Sequence, residues 1–274
     1  MKTGRAVGLI AACLLGTGCF DIEQTLSLDK NLGGKAGLNV GIDFEPMIYM
    51  MAAMQRGFAG KEGPPTKEEL AAAKKDFLTK KTDEPSQRPD PKQIEADAKK
   101  SLPPGVKLLD SSFDDQGTKL KFHFLFGFDN VSKLAALHLN SKDSPSGPPG
   151  TKNPVESPFA DLQIVDEGKT LLLTTKPSSP LDKEKDEKAE GGEGGEAAGS
   201  PEMDEQVRQI FKGFRVAYRI EAPFQVVESN ATRVEGKTLI WEYKLEDFER
   251  MEKEAKAHPG KAKPEIGVRV RYRK

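Results

Sequence analysis

The chain has 274 residues, 31 % of them charged and 36 % hydrophobic, with a formal net charge of −1. A nearly neutral body argues against nucleic acid as a partner, since that needs a dense basic surface. The apolar content suffices for a core, while 26 Gly and 19 Pro imply long connecting segments.

The first stretch is a leader. Lys2 and Arg5 precede an apolar run from Ala6 to Leu15, and Gly16, Thr17 and Gly18 then lead into Cys19. A basic start, a short apolar run and a small-residue exit is the layout of a secretory signal. The run is too short for a transmembrane helix, which needs roughly 20 apolar residues. The exit resembles the bacterial lipoprotein lipobox, with Leu15 one place earlier than the usual leucine. That resemblance implies a lipid on Cys19, which becomes the mature N-terminus; the other reading is ordinary secretion with cleavage after a small residue. The expected organisation is a lipoprotein signal peptide over 1–18 and one envelope domain over 19–274. Cys13 leaves with the leader, so Cys19 remains as the single cysteine and no internal disulfide is expected.

After the anchor, Ile22, Gln24, Leu26 and Leu28 alternate with polar residues, as do Ala36, Leu38, Val40, Ile42 and Phe44 beyond a glycine-rich turn. That pattern predicts a β-hairpin with one buried face. From Pro46 the period becomes helical, with Met47, Tyr49, Met50, Met51, Met54 and Phe58. Thr66 and Glu69 read as a capping box opening a helix that runs to about Lys80. A proline-punctuated loop over 83–91 and a short helix over 91–101 follow. Val106, Leu108 and Leu109 lead through the turn Asp114-Asp115-Gln116-Gly117 to Leu120, Phe122, Phe124 and Phe126, all on one strand face. Asp129 is expected to cap a short helix carrying Val131, Leu134 and Leu137. Leu162, Ile164 and Leu171-Leu172-Leu173 flank a third hairpin turn. Stretches 141–158 and 177–201 read as flexible insertions; the latter has no large apolar residue after Leu181 to offset its ordering entropy. A short helix over 203–212, strands around Tyr218, Trp241 and Val270, and a helix over 245–257 complete the chain. Hairpin connections imply antiparallel pairing. The fold class is therefore α+β, a curved and mostly antiparallel β-sheet of seven or more strands with helices packed on one face.

Chemical motifs do not assemble. Gly168-Lys169-Thr170 and Gly236-Lys237-Thr238 resemble the end of a phosphate loop, but Gln163 and Ala231 stand where its first glycine belongs, and both copies fall in hairpin turns. Asp29-Lys30-Asn31 with Gly34 starts like a calcium loop, yet Val40 occupies the place of the bidentate glutamate. His123, His138 and His258 share no metal-ligand spacing. Asp114-Asp115 is explained by its turn. No metal, cofactor or catalytic residue is expected, although carboxylates converging in space, as in a hydrolase, remain a third reading.

Two apolar features bear on function. The methionines of 47–54 are soft enough to line a variable site, and Phe122, Phe124, Phe126, Tyr218, Trp241 and Tyr243 share strand faces. Each is either packed core or one wall of an open groove between helix and sheet. The groove reading names Met50, Met54, Phe124 and Trp241 as ligand contacts. The early hairpin Asp21-Ile22-Glu23-Gln24-Thr25-Leu26, with Val226-Val227-Glu228-Ser229-Asn230-Ala231 and Gly236-Lys237-Thr238-Leu239-Ile240-Trp241, resembles the LppM-type lipoprotein domain family. The resemblance implies an envelope lipoprotein of mixed sheet and helix, with lipid binding suggested for the family. The expected function is thus a non-catalytic, lipid-anchored module on the periplasmic side. Its partners would be the membrane and an apolar ligand such as a lipid, or another envelope component. The alternative is a structural or assembly role.

Overall fold

The computed structural model describes residues 19–79, 91–100, 102–137, 159, 162–175, 213–258 and 267–274. The leader over 1–18, the insertions at 141–158 and 177–201, the helix expected over 203–212 and His138 lie outside the described residues.

Strong period-two patterning becomes strand wherever it occurs. β1 (Cys19–Leu28) and β2 (Gly34–Asp43) form the first hairpin, with Ile22, Leu26, Leu38 and Val40 buried. Gly34, at φ +150°, closes it; a Cβ there would collide with the Ser27 carbonyl oxygen. β3 (Val106–Asp115) and β4 (Lys119–Phe128) form the second, and β5 (Gln163–Asp166) and β6 (Thr170–Thr175) the third. β7 (Arg215–Glu221), β8 (Gln225–Ser229), β9 (Arg233–Glu235), β10 (Thr238–Lys244) and β11 (Val268–Arg273) follow.

The strands divide between two sheets. One has the order β3-β4-β2-β1-β7-β10-β9 and the other β5-β6-β11-β8. Pairing is antiparallel except between β1 and β7, which run parallel. The α+β class holds, with a second sheet added to the one expected from the hairpins. β8 belongs to one sheet and β9 to the other, so the chain crosses between them at Asn230.

Helices α1 (Glu45–Phe58), α2 (Lys67–Thr79), α3 (Pro91–Lys100) and α4 (Leu245–Ala257) fill the intervals. The capping box at α2 forms as the sequence predicts: Thr66 N donates to Glu69 Oε2 at 2.9 Å, and Glu69 N to Thr66 Oγ1 at 3.3 Å. The turn after β4 differs. Val131–Ala136 is a 3-10 helix capped by Asn130, whose Oδ1 accepts from Ser132 N at 3.0 Å. Asp129 instead accepts from Lys133 Nζ at 2.8 Å. Asn adopts the cap because its side chain reaches the free N–H two residues on, as in other Asx turns.

The two faces of the larger sheet differ sharply. A row of directly opposed residues crosses five strands on the inner face: Phe124, Leu38, Gln24, Tyr218 and Trp241. All five are buried. α4 joins this side through Phe248, whose ring centroid is 5.4 Å from Phe214 and 6.4 Å from Tyr243. α3 reaches it where Ser111 Oγ donates to Glu95 Oε1 at 3.1 Å, Ser111 being paired with Phe124.

The outer face carries an ion-pair array. Arg215 contacts Asp21 at 2.7 Å and Glu23 at 3.0 Å, and Arg219 contacts Glu23 at 3.1 Å. Partial burial alone would raise the Glu23 carboxyl, but hydrogen bonds and charge from Arg215 and Arg219 outweigh it and hold it below its ordinary value of 4.5. A depressed carboxylate binds fewer protons folded than unfolded. Its contribution is therefore complete above about pH 4.5 and lost as the pH falls through the folded value. The stability gap between wild type and Glu23→Gln, read by urea denaturation, should shrink between about pH 7 and about pH 3. A gap constant over that range would contradict the assignment.

Candidate functional site

The four residues named for a groove fall into two environments. Phe124 and Trp241 have 0 % exposure. Phe124 stacks on Phe126 at 6.0 Å and meets Phe113 edge-on at 5.6 Å. Those distances are ordinary for packed aromatic cores. Phe124 and Trp241 stand at opposite ends of the inner row, four strand spacings or roughly 19 Å apart.

Trp241 is fixed by a residue the sequence reading did not single out as functional. Its Nε1 donates to Asn230 Oδ1 at 2.7 Å, and the same oxygen accepts from Arg269 N at 2.8 Å. Asn230 Nδ2 donates to the Gly267 carbonyl at 3.0 Å, which also accepts from Tyr243 Oη at 3.0 Å. The amide thus ties the crossing between the sheets to β10 and to the start of β11. Locally, then, the stretch from Asn230 to Trp241 joins the two sheets. Partial burial raises the Tyr243 hydroxyl, with the Gly267 hydrogen bond working in the opposite direction. Tyr272 on β11 is also buried, and its hydroxyl has no hydrogen-bond partner among the described residues. Burial pushes that hydroxyl well up, and a buried water would satisfy it.

Met50 and Met54 sit elsewhere. α1 buries Met47, Ile48 and Ala52. Met47, Met50, Met51, Met54 and Phe58 follow at spacings of three, four, seven and eleven residues, one helical face. Along that face exposure rises from 4 % at Met47, through half-buried Met50, Met51 and Met54, to 80 % at Phe58. The helix leaves the body while its apolar stripe continues. Arg56 locks the tip in that position, donating to both Glu69 carboxylate oxygens at 2.9 and 3.0 Å and to the Glu62 carbonyl at 3.0 Å.

The root of α1 lies beside Cys19. Cys19 pairs with Asp43, Asp43 Oδ1 accepts from Glu45 N at 3.0 Å, and the helix begins there. Two depressions mark the described surface elsewhere. One of about 510 Å³ runs along α4 and is lined by Glu246, Arg250, Lys253 and His258; the other, of about 260 Å³, is lined by Phe224, Val226, Val234 and Leu239. Neither is lined by any of the four named residues.

The motif fragments resolve into turns. Asp29 Oδ1 accepts from Asn31 N and Gly33 N, Asp115 Oδ1 from Gly117 N, and Gly168 and Gly236 take positive φ at hairpin ends. His123 Nδ1 lies 2.6 Å from Asn39 Oδ1 on the outer face, and His258 follows the last turn of α4. Among the described residues no three His, Cys, Asp or Glu are grouped to hold a metal ion, and no helix is long and apolar enough to cross a membrane.

No family model and no curated protein matches the chain. Among solved structures it is similar to the NMR structure of the folded domain of LppM from Mycobacterium tuberculosis. That likeness covers 93 % of this chain and 90 % of the other, with a TM-score of 0.39 and 10 % identity. A similarity of that size is a loose structural relationship and assigns no activity to this chain.

Proposed function

We propose that the chain is a bacterial envelope lipoprotein held by an acylated Cys19, with a non-catalytic domain that works by apolar contact at its surface. The observation that carries this is the junction between leader and domain. The leader ends at Gly18, and Cys19 is already the first residue of β1, opposite Asp43. With no spacer, the anchored end of the sheet is held against the membrane on the periplasmic side. The enclosure of Phe124 and Trp241 supports contact by surface rather than by an interior groove, and leaves Met50 and Met54 as the open part of the original set. The packing of candidate motif residues into turns supports a binding or structural role over catalysis.

Replacing Cys19 by serine should move the protein from the membrane fraction to the soluble envelope fraction. Equal membrane retention of Cys19→Ser and wild type would sink the anchor.

A further inference from the structure

We propose that the outer face of the smaller sheet docks an extended acidic segment of a partner protein, with Arg269 and Arg273 taking two of its carboxylates. The face follows from strand parity. β11 turns Val268, Val270 and Tyr272 into the core, so Arg269, Arg271 and Arg273 all stand on the opposite side. Register then sets three rows across the strands. Gln163 and Thr174 stand beside Arg269, Val165 and Leu172 beside Arg271 with Glu228 on its other flank, and Thr170 and Gln225 on either side of Arg273.

Charge on this face is left over on one side only. The four strands and the turn between β5 and β6 carry three carboxylates, and each already has a cation: Glu167 and Glu228 lie 3.3 and 3.6 Å from Arg271, and Asp166 pairs with Lys274. Arg269 and Arg273 are exposed and have no acidic partner among the described residues. The same holds for Lys169 in the turn, whose carbonyl accepts from Lys274 N at 3.1 Å. Arg269 and Arg273 are four residues apart, roughly 14 Å along a strand. That spacing suits two anionic groups on one ligand rather than a single small ion. Between their rows the face is apolar, with Val165 50 % exposed and Leu172 half-buried. An extended polypeptide presents every second side chain on one side at the repeat of β11 itself. Acidic residues at i and i+4 with an apolar residue at i+2 therefore match the three rows, and the guanidinium fork suits a carboxylate. A phosphate polymer or a layer of lipid headgroups satisfies the charge but leaves the apolar row uncovered.

The proposal does not use the Cys19 anchor, so it is tested on the soluble full-length Cys19→Ser chain. The probe is a synthetic peptide repeating Glu-Thr-Val-Thr, and the readout is the amide chemical shifts of the protein. Shifts should concentrate on β6 and β11, and binding should weaken as ionic strength rises. Replacing Arg269 and Arg273 together by glutamate should weaken it by roughly tenfold or more. Lys237→Glu, in the turn between β9 and β10, should leave it unchanged. Two altered peptides keep the test independent of any folding defect in the variants: glutamine for glutamate should abolish binding, and serine for valine should weaken it. Shifts spread over the whole surface, or an affinity indifferent to the two arginines, would overturn the proposal. So would inorganic polyphosphate or phosphatidylglycerol vesicles that bind the face as tightly as the peptide. Peptide binding that arises only after residues 177–201 are deleted would make that acidic stretch of the chain the occupant and remove the partner.

Discussion

Trp241→Ala should destabilise the domain by about 3–5 kcal/mol, the range for deleting a buried tryptophan. The side chain has 0 % exposure, so its removal leaves a cavity rather than an opened surface. It also takes from Asn230 Oδ1 the indole donor at 2.7 Å, leaving that oxygen with Arg269 N alone. Asn230 sits where the chain passes between the sheets, so the loss falls on the joint as well as on the packing. Trp241→Phe helps to separate the two effects, since it keeps most of the volume while removing the hydrogen bond, worth about 1 kcal/mol, and should cost clearly less than Trp241→Ala. Urea midpoints with unchanged slope are the readout. A cost near zero for Trp241→Ala would show that the ring lines an open groove.

Phe124→Ala should cost a similar amount, about 3–5 kcal/mol. Its ring is enclosed by Phe126, Phe113 and Phe122, the last at 6.1 Å. Because Phe124 and Trp241 lie roughly 19 Å apart, their costs should add to within about 0.5 kcal/mol. Domains are stable by only about 5–15 kcal/mol, so the double variant is expected at the edge of folding. Met54→Ala is the contrast. Half-buried on a helix that is leaving the core, it should cost about 1 kcal/mol or less. Comparable losses at Met54 and Phe124 would place both in one continuous interior and remove the surface stripe from the account.

What the sequence makes legible here is local. Alternation over 22–28, 36–44 and 120–126 marks the hairpins because a strand must turn one side to the core, and Thr66 with Glu69 marks a helix start because those side chains satisfy free N–H groups. The long-range pairings are not written in any window. Parallel contact between β1 and β7 joins residues 194 apart, and nothing in either segment names the other. Gln24 shares the parity of Ile22 and Leu26, and it is buried in the inner row in spite of its polarity, between Leu38 and Tyr218. The aromatic strands are legible only as far as their face. Alternation assigns Phe124 and Trp241 to one side of a sheet, and packed cores and open grooves are lined the same way. Phe124 meets Phe113 of β3, and Trp241 meets Asn230, which is tied to β11, and only the tertiary arrangement supplies those neighbours. Spacing puts Met50 and Met54 on one helical face, but how far that face is covered is again a property of the assembled fold.

The central claim is that Cys19 is the lipid-bearing first residue of the mature chain, with the sheet beginning at the membrane. The direct test is the mass of the N-terminal peptide of protein purified from a bacterial envelope. The account predicts a peptide that begins at Cys19 and carries the added mass of a thioether-linked diacylglyceryl group. An unmodified N-terminus at Cys19, or a mature chain that begins at any other residue, would contradict it.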